Sequence, residues 1–135
     1  MPGAPVISNA LEDYLETILN LSEQKSAVRT TDLAVHMQVA KPTVTETVKS
    51  LVNHGLLRHE KYGPLELTEK GRQKALKIRY RHTILKKFLT DILGVKPETA
   101  NREACLMEHA ISPDTADKLA QFLENICNNA IEKKY

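Results

Sequence analysis

The apolar residues of this 135-residue chain change their spacing once, at Gly55, and that change limits the folds open to it. Before Gly55 they recur three and four positions apart: Leu11, Leu15, Ile18 and Leu19; then Leu33, Ala34 and Met37; then Val44, Val48, Leu51 and Val52. Such spacing predicts amphipathic helices. Ser8 or Asn9 caps the first, which runs to about Glu23. Thr30 or Thr31 caps the second, and Gln38-Val39-Ala40 is a tight connection to the third, where Pro42 sits early enough for its missing amide hydrogen to cost least. The third helix ends near Asn53, with Gly55 as its C-terminal cap. Two helices joined by about three residues make a helix-turn-helix.

Past Gly55 the period shortens. Leu56-Leu57-Arg-His-Glu-Lys61 and Leu65-Glu-Leu67 flank Tyr62-Gly63-Pro64 and read as a short hairpin. Thr68-Glu-Lys-Gly71 then opens a long helix, to about Leu93, closed by Gly94. Pro97 starts another that carries Cys105 to His109, and Ser112-Pro-Asp-Thr115 opens the last, with Leu119, Phe122, Leu123 and Ile126 inward. The expected fold is mainly α: a winged helix-turn-helix over residues 1–75 and a helical domain over 76–135.

A net charge of +2 conceals a strong asymmetry. Between Lys25 and Lys87 there are 14 Lys and Arg against 5 Asp and Glu, a balance of +9; the remainder holds 5 against 12, a balance of −7. The basic half suits a polyanion and the acidic half suits cations. No apolar run approaches the roughly 20 residues of a membrane span. The start, Met1 to Ser8, has no basic stretch followed by an apolar one, so no signal peptide and a cytoplasmic protein are expected. The two cysteines, Cys105 and Cys127, are expected to stay reduced.

In a helix-turn-helix the N-terminal end of the second helix meets base edges in the major groove. Here that end carries Lys41, Pro42, Thr43, Thr45, Glu46 and Thr47, with Lys49 a turn further; Thr31, Lys61 and Tyr62 complete the candidate DNA-binding set. The threonines offer hydroxyls and methyls, and the lysines suit phosphates. None of these positions holds the Arg, Asn or Gln that makes bidentate base contacts, so phosphate contacts and DNA shape are expected to carry much of the selection.

Further along, Cys105, Glu108 and His109 put thiol, carboxylate and imidazole three and four residues apart, which on a helix means one face. Three such donors can share a divalent transition metal. Asp13 and Glu16 are likewise three apart on the first helix, flanking its apolar stripe.

Five stretches together resemble one family: Glu12-Asp-Tyr-Leu-Glu16, Lys41-Pro-Thr-Val-Thr45, Leu65-Glu-Leu-Thr-Glu-Lys-Gly71, Tyr80-Arg-His82 and Cys105-Leu-Met-Glu-His-Ala-Ile-Ser112. They are similar to the metal-dependent transcriptional repressors of the diphtheria toxin repressor and manganese transport regulator type, over about Leu11 to Ile126. The resemblance implies a homodimer built on the last two helices, gripping a palindromic operator in double-stranded DNA, with metal as corepressor. It implies no enzyme activity, no small-molecule substrate, no membrane association, and the compact form that lacks the SH3-like domain of larger iron-responsive members.

By the same resemblance Asp13, Glu16 and His82 match manganese-type ligands, Glu108 and His109 match ligands of both branches, and Cys105 matches the iron type, where the manganese type has glutamate. Lys86 and Asn101 stand where the iron-type ancillary site has glutamate and a second histidine. The implied site is a hybrid. Manganese(II) favours oxygen donors, whereas a thiolate favours iron(II), cobalt(II), nickel(II) or zinc(II). The expected corepressor is iron(II), with manganese(II) second and the others able to bind in vitro. The rival expectations are a metalloenzyme around Cys105, Glu108 and His109, and a metal-independent winged-helix DNA-binding or scaffold protein.

Overall fold

The computed structural model describes residues 7–134, with side chains to residue 128. Met1–Val6, read above as lacking a leader, lie outside the described residues. The chain divides into two compact units, Met1–Lys77 and Ile78–Tyr135.

The first unit opens with α1 (Asn9–Gln24), whose N-terminus is capped as expected: Ser8 Oγ accepts a hydrogen bond from the Leu11 amide at 3.2 Å. α2 (Thr30–Met37) starts differently from expectation. Its cap is Arg29, not a threonine, because the Asp32 carboxylate turns back to accept the Arg29 amide at 2.8 Å and also takes the Lys25 ammonium. The turn to α3 (Lys41–Asn53) is the predicted three-residue connection, with Gln38 in the left-handed region at φ 56°. Leu15, Ile18, Leu19, Leu33, Val44, Val48 and Leu51 are buried in one apolar cluster beneath the helix-turn-helix. Full burial of each such side chain contributes about 1.5–3 kcal/mol.

Gly55, at φ +74°, turns the chain from α3 into β1 (Leu57–His59), which pairs antiparallel with β2 (Leu65–Leu67). Leu57 faces Leu67, Arg58 faces Glu66 and His59 faces Leu65. The first strand is shorter than the sequence suggested, because Glu60 to Gly63 already close the turn through Gly63 N–H donating to Glu60 O at 2.9 Å. On its other edge β2 is tied to Val28, whose carbonyl accepts the Leu65 amide at 2.7 Å. β2 is thus held on both edges, by β1 and by the segment before α2.

α4 (Glu69–Lys87) begins on the Leu67-Thr-Glu-Lys-Gly71 stretch, where Thr68 and Gly71 set the junction with the wing. Thr68 Oγ1 donates to Gly55 O at 2.7 Å and accepts from Gly71 N at 3.0 Å. A Cβ on Gly71 would lie 1.9 Å from Leu56 O, so only glycine permits this approach of helix to wing.

α4 continues from Ile78 into the second unit. It does not run on as an α-helix to Leu93: from Phe88 to Ile92 the chain widens into a π-helical turn, with Gly94 at φ +72° ending it. α5 (Pro97–Met107) and α6 (Pro113–Lys134) follow, the latter capped by Ser112 Oγ accepting Thr115 N at 3.1 Å. Leu85, Leu89, Ala100 and Ala104 form the buried cluster here, with Phe88, Val95, Ile111 and Leu119 packed around it. Leu123 is buried as expected, but Phe122 and Ile126 are exposed, at 46 % and 36 %. Phe122 meets the Phe88 ring, 6.5 Å between centroids. No helix among the described residues is long and apolar enough to cross a membrane.

Candidate metal centre and nucleic-acid interface

In the first unit α3 buries Val44, Val48 and Leu51 and turns Lys41, Pro42, Thr43, Thr45, Glu46 and Lys49 to solvent, with Thr47 half-buried. The α3 residues anticipated to meet DNA are therefore exposed, apart from the half-buried Thr47. Their hydroxyls are partly engaged: Thr45 Oγ1 donates to Lys41 O at 3.1 Å and Thr47 Oγ1 to Thr43 O at 2.9 Å. The hydroxyl protons are used inside the helix, so these side chains offer outward methyls and acceptor lone pairs rather than donors.

A concavity in the same unit is lined by Arg29, Thr30, Thr31, Thr45, His59, Lys61, Tyr62 and Gly63. Tyr62, at φ 62° and 87 % exposed, projects from the wing tip, with the Lys61 ammonium 5.3 Å from its ring centroid. The sequence reading missed Arg29. Its guanidinium donates to Tyr62 O at 3.2 Å, fastening the wing tip to the start of α2. Only its place in the basic half marked it out.

The second unit holds the candidate metal centre around His82, Cys105, Glu108 and His109. α5 stops at Met107. Glu108 is its C-cap, its amide still bonded to Ala104 O at 2.9 Å, and the chain then tightens, with Ala110 N donating to Met107 O at 2.9 Å. His109 lies in that turn, just past the end of α5, while Glu108 still has helical backbone.

What they share is the Glu108 carboxylate. Its side chain is fully buried, and no hydrogen-bond donor among the described residues reaches either oxygen. Oε2 lies 3.5 Å from His82 Nδ1 on α4, and Oε1 lies 3.7 Å from His109 Nε2. Cys105 Sγ stands 3.6 Å from the same His82 Nδ1. His82, Cys105 and Glu108 bring one donor atom each within 4.8 Å of one another. His82, which type alone would leave unremarkable, is thus the point where α4 meets the donors of α5.

A buried carboxylate without hydrogen bonds costs several kcal/mol unless a neighbouring cation offsets it. Within the second unit its near neighbours include two imidazole nitrogens, one of them beside a sulfur, each able to offer an electron pair to a cation. Donors on one cation at about 2.0–2.3 Å stand about 3.0–3.6 Å apart, depending on coordination number. The 3.5 and 3.6 Å spacings match, so the residues fit a transition metal.

Two neighbours hold the arrangement. Arg81 Nη1 donates to Glu108 O at 3.2 Å and lies 3.5 Å from Ile111 O, gripping the backbone of the ligand turn. Asn101 Oδ1 lies 2.9 Å from His82 Nε2. The sequence reading named Asn101 only as a lost histidine and gave Arg81 no role. Asp13 and Glu16 lie three residues apart on α1 in the first unit, both half-buried, next to a buried Glu12 that pairs with Lys74 at 3.9 Å.

Comparison with known proteins assigns both halves. Residues 7–65 match the N-terminal DNA-binding domain of iron-dependent repressors, and residues 68–130 match their metal-binding and dimerisation domain. An uncharacterized HTH-type transcriptional regulator of Methanocaldococcus jannaschii is 39 % identical over 119 residues, spanning 87 % of this chain and 95 % of the relative. The iron-dependent repressor IdeR of Mycobacterium bovis is 36 % identical over 114 residues, 84 % of this chain and 50 % of IdeR. A manganese-dependent transcriptional repressor solved with manganese is similar in fold, with a TM-score of 0.78 at 32 % identity, over 84 % of this chain and 52 % of that one. This chain therefore spans about half the length of IdeR and of that repressor. The winged helix, the donor cluster around Glu108 and these matches agree, and the chain belongs to the iron-dependent repressor family of metal-dependent transcription regulators, which are not enzymes.

Proposed function

We propose that this protein is a metal-dependent transcriptional repressor, acting in the cytoplasm as a homodimer on a palindromic operator, with iron(II) as the preferred corepressor and manganese(II) second. One observation carries the reading: the buried Glu108 carboxylate, without hydrogen bonds, facing His82 Nδ1 and Cys105 on one side and His109 on the other. When bound, a divalent cation would supply the positive charge this group lacks. His82, Cys105 and Glu108 would hold it with nitrogen, sulfur and oxygen, and His109 faces the second carboxylate oxygen. Asp13 and Glu16 keep, as proposals, the ligand roles that the family resemblance gives them. The sulfur donor supports iron(II) over manganese(II).

Residues 1–75 read DNA in this proposal, and residues 76–135 bind metal and dimerise. Phe122 and Ile126, exposed apolar side chains one turn apart on α6, would be covered by a second copy of the chain. Metal represses to the extent that it binds the DNA-competent dimer more tightly than other forms.

The test is operator binding by fluorescence anisotropy, anaerobically, on a duplex selected with metal present. Affinity should rise at least about 100-fold with iron(II), a coupling of about 2.7 kcal/mol. Equal affinity without metal would sink the corepressor role and leave a metal-independent winged-helix protein.

A further inference from the structure

His59 is the last residue of β1, and by the alternation of a strand its side chain leaves the wing on the same face as that of Leu57. Leu57 is buried and His59 is exposed, so the strand carries the imidazole just past the edge of the core. Three concavities of the first unit share this residue. One lies against α3, where His59 is joined by Lys49, Val52 and Asn53; another runs along the wing; the third reaches Thr45 on α3 and Lys61 at the wing tip. His59 therefore stands in the cleft between the helix expected to read bases and the hairpin that follows it.

A helix seated in the major groove has a sugar-phosphate strand along each side of it. The wing follows α3 directly through Gly55, so when the N-terminal end of α3 meets base edges, one of those strands passes along the cleft between α3 and β1. The cleft has the chemistry such a strand needs. Val52, 39 % exposed, offers apolar surface to a deoxyribose, and Lys49 and Lys61 bring positive charge to either end. An imidazole presents an N–H in every protonation state and tautomer, and so can always donate to a phosphate oxygen. Glu60 and Glu66 line the wing side of the cleft and would repel a phosphate there, which favours a path on the α3 side, beside His59 and Lys49.

We propose that His59 is a DNA-binding residue of this protein, its ring N–H donating to a phosphate of the strand that runs between α3 and the wing. The inference rests on the DNA-binding reading of residues 1–75 and adds a contact that the candidate set drawn from sequence did not contain. A phosphate contact positions the protein on the duplex without reading sequence, so His59 should set affinity and leave operator preference alone.

The test uses the whole chain with iron(II), anaerobically, on the selected duplex and on an unrelated one, read by fluorescence anisotropy. His59→Leu removes the donor, His59→Val does so with a strand-forming residue should an exposed leucine cause association, and His59→Gln restores an N–H. Far-UV dichroism should be unchanged in all three. The leucine and valine variants should bind both duplexes about 10-fold more weakly, leaving the ratio between them as in the wild type, while glutamine recovers to within about threefold. Replacing operator phosphates singly by uncharged methylphosphonate then locates the contact. At one position in each half-site the wild type should lose about 10-fold and His59→Leu nothing further, whereas a merely structural role would give losses that add at every position. If the wild type binds neither duplex, the DNA reading falls and this proposal with it. If the wild type binds and the leucine variant stays within about twofold of it, or its loss adds to every methylphosphonate, the His59 contact alone is overturned.

Discussion

Cys105 is the residue on which metal choice turns. Its sulfur is 3.6 Å from His82 Nδ1, and it is partly exposed, so the side chain can be changed without opening a core cavity. Replacing it by glutamate converts the sulfur, nitrogen and oxygen set to one dominated by oxygen. Cys105→Glu should move the ranking of metals toward manganese(II), measured by competitive titration of iron(II) and manganese(II) with calorimetry, while far-UV dichroism stays unchanged. An unaltered ranking would count against Cys105 as a ligand. Sequence marked Cys105, Glu108 and His109 by spacing, yet it could not show that the carboxylate alone is central. Helix ends are set by hydrogen bonds, and the run from Cys105 to Ile111 contains no glycine or proline to announce that α5 stops at Met107. Nor could spacing bring in His82, which lies 23 residues before Cys105 and meets it only through the packing of α4 against α5.

At the scale of elements, the helix-turn-helix and wing were legible because each boundary carries a strong local signal. Ser8 caps α1, Pro42 sits in the first turn of α3, and Gly55 takes the positive φ that ends it. Where several signals competed, reading failed: Thr30 and Thr31 are both good caps, but Asp32 selects Arg29. The π-helical turn at Phe88–Ile92 leaves no mark in residue type, since a one-residue slip in hydrogen bonding uses the same side chains. Two element-level outcomes follow from the first unit. Gly71→Ala forces a Cβ against Leu56 O and should lower stability by about 1–3 kcal/mol in urea titrations, through displacement of α4 from the wing. Asp32 has its carboxyl held below the ordinary carboxylate range, first by the Lys25 hydrogen bond and then by the Arg29 amide. A lowered folded-state pKa contributes stability above the unfolded value and loses it as pH falls through the folded one. Asp32→Asn should therefore melt lower than wild type at pH 7, with the gap closing on acidification below about pH 4. A gap that persists at low pH would place the effect elsewhere.

For the whole molecule, the proposed repression requires self-association, which would bring two winged helices to one operator. Expecting Phe122 and Ile126 to be buried was reasonable for a closed helical unit, and the pattern of apolar residues on α6 is indeed regular. A single sequence cannot say whether an apolar stripe faces its own core or a second molecule, because both remove it from water equally. Ile126→Asp should convert dimer to monomer in sedimentation velocity at micromolar concentration, keep the helical dichroism, and abolish high-affinity operator binding. A dimer that survives this change would place the contact on another surface.

Arg81 and His82 are consecutive on α4, one donating to the backbone of the turn after α5 and the other facing its buried carboxylate. Successive helical residues point about 100° apart, so the two contacts fix the rotation of α4 like two teeth of a key. Deleting one residue between Ile78 and Tyr80 would swing Thr83 toward the place of His82 and carry the imidazole away from Glu108. A change in length there is therefore expected to disrupt the centre even where every remaining side chain is kept.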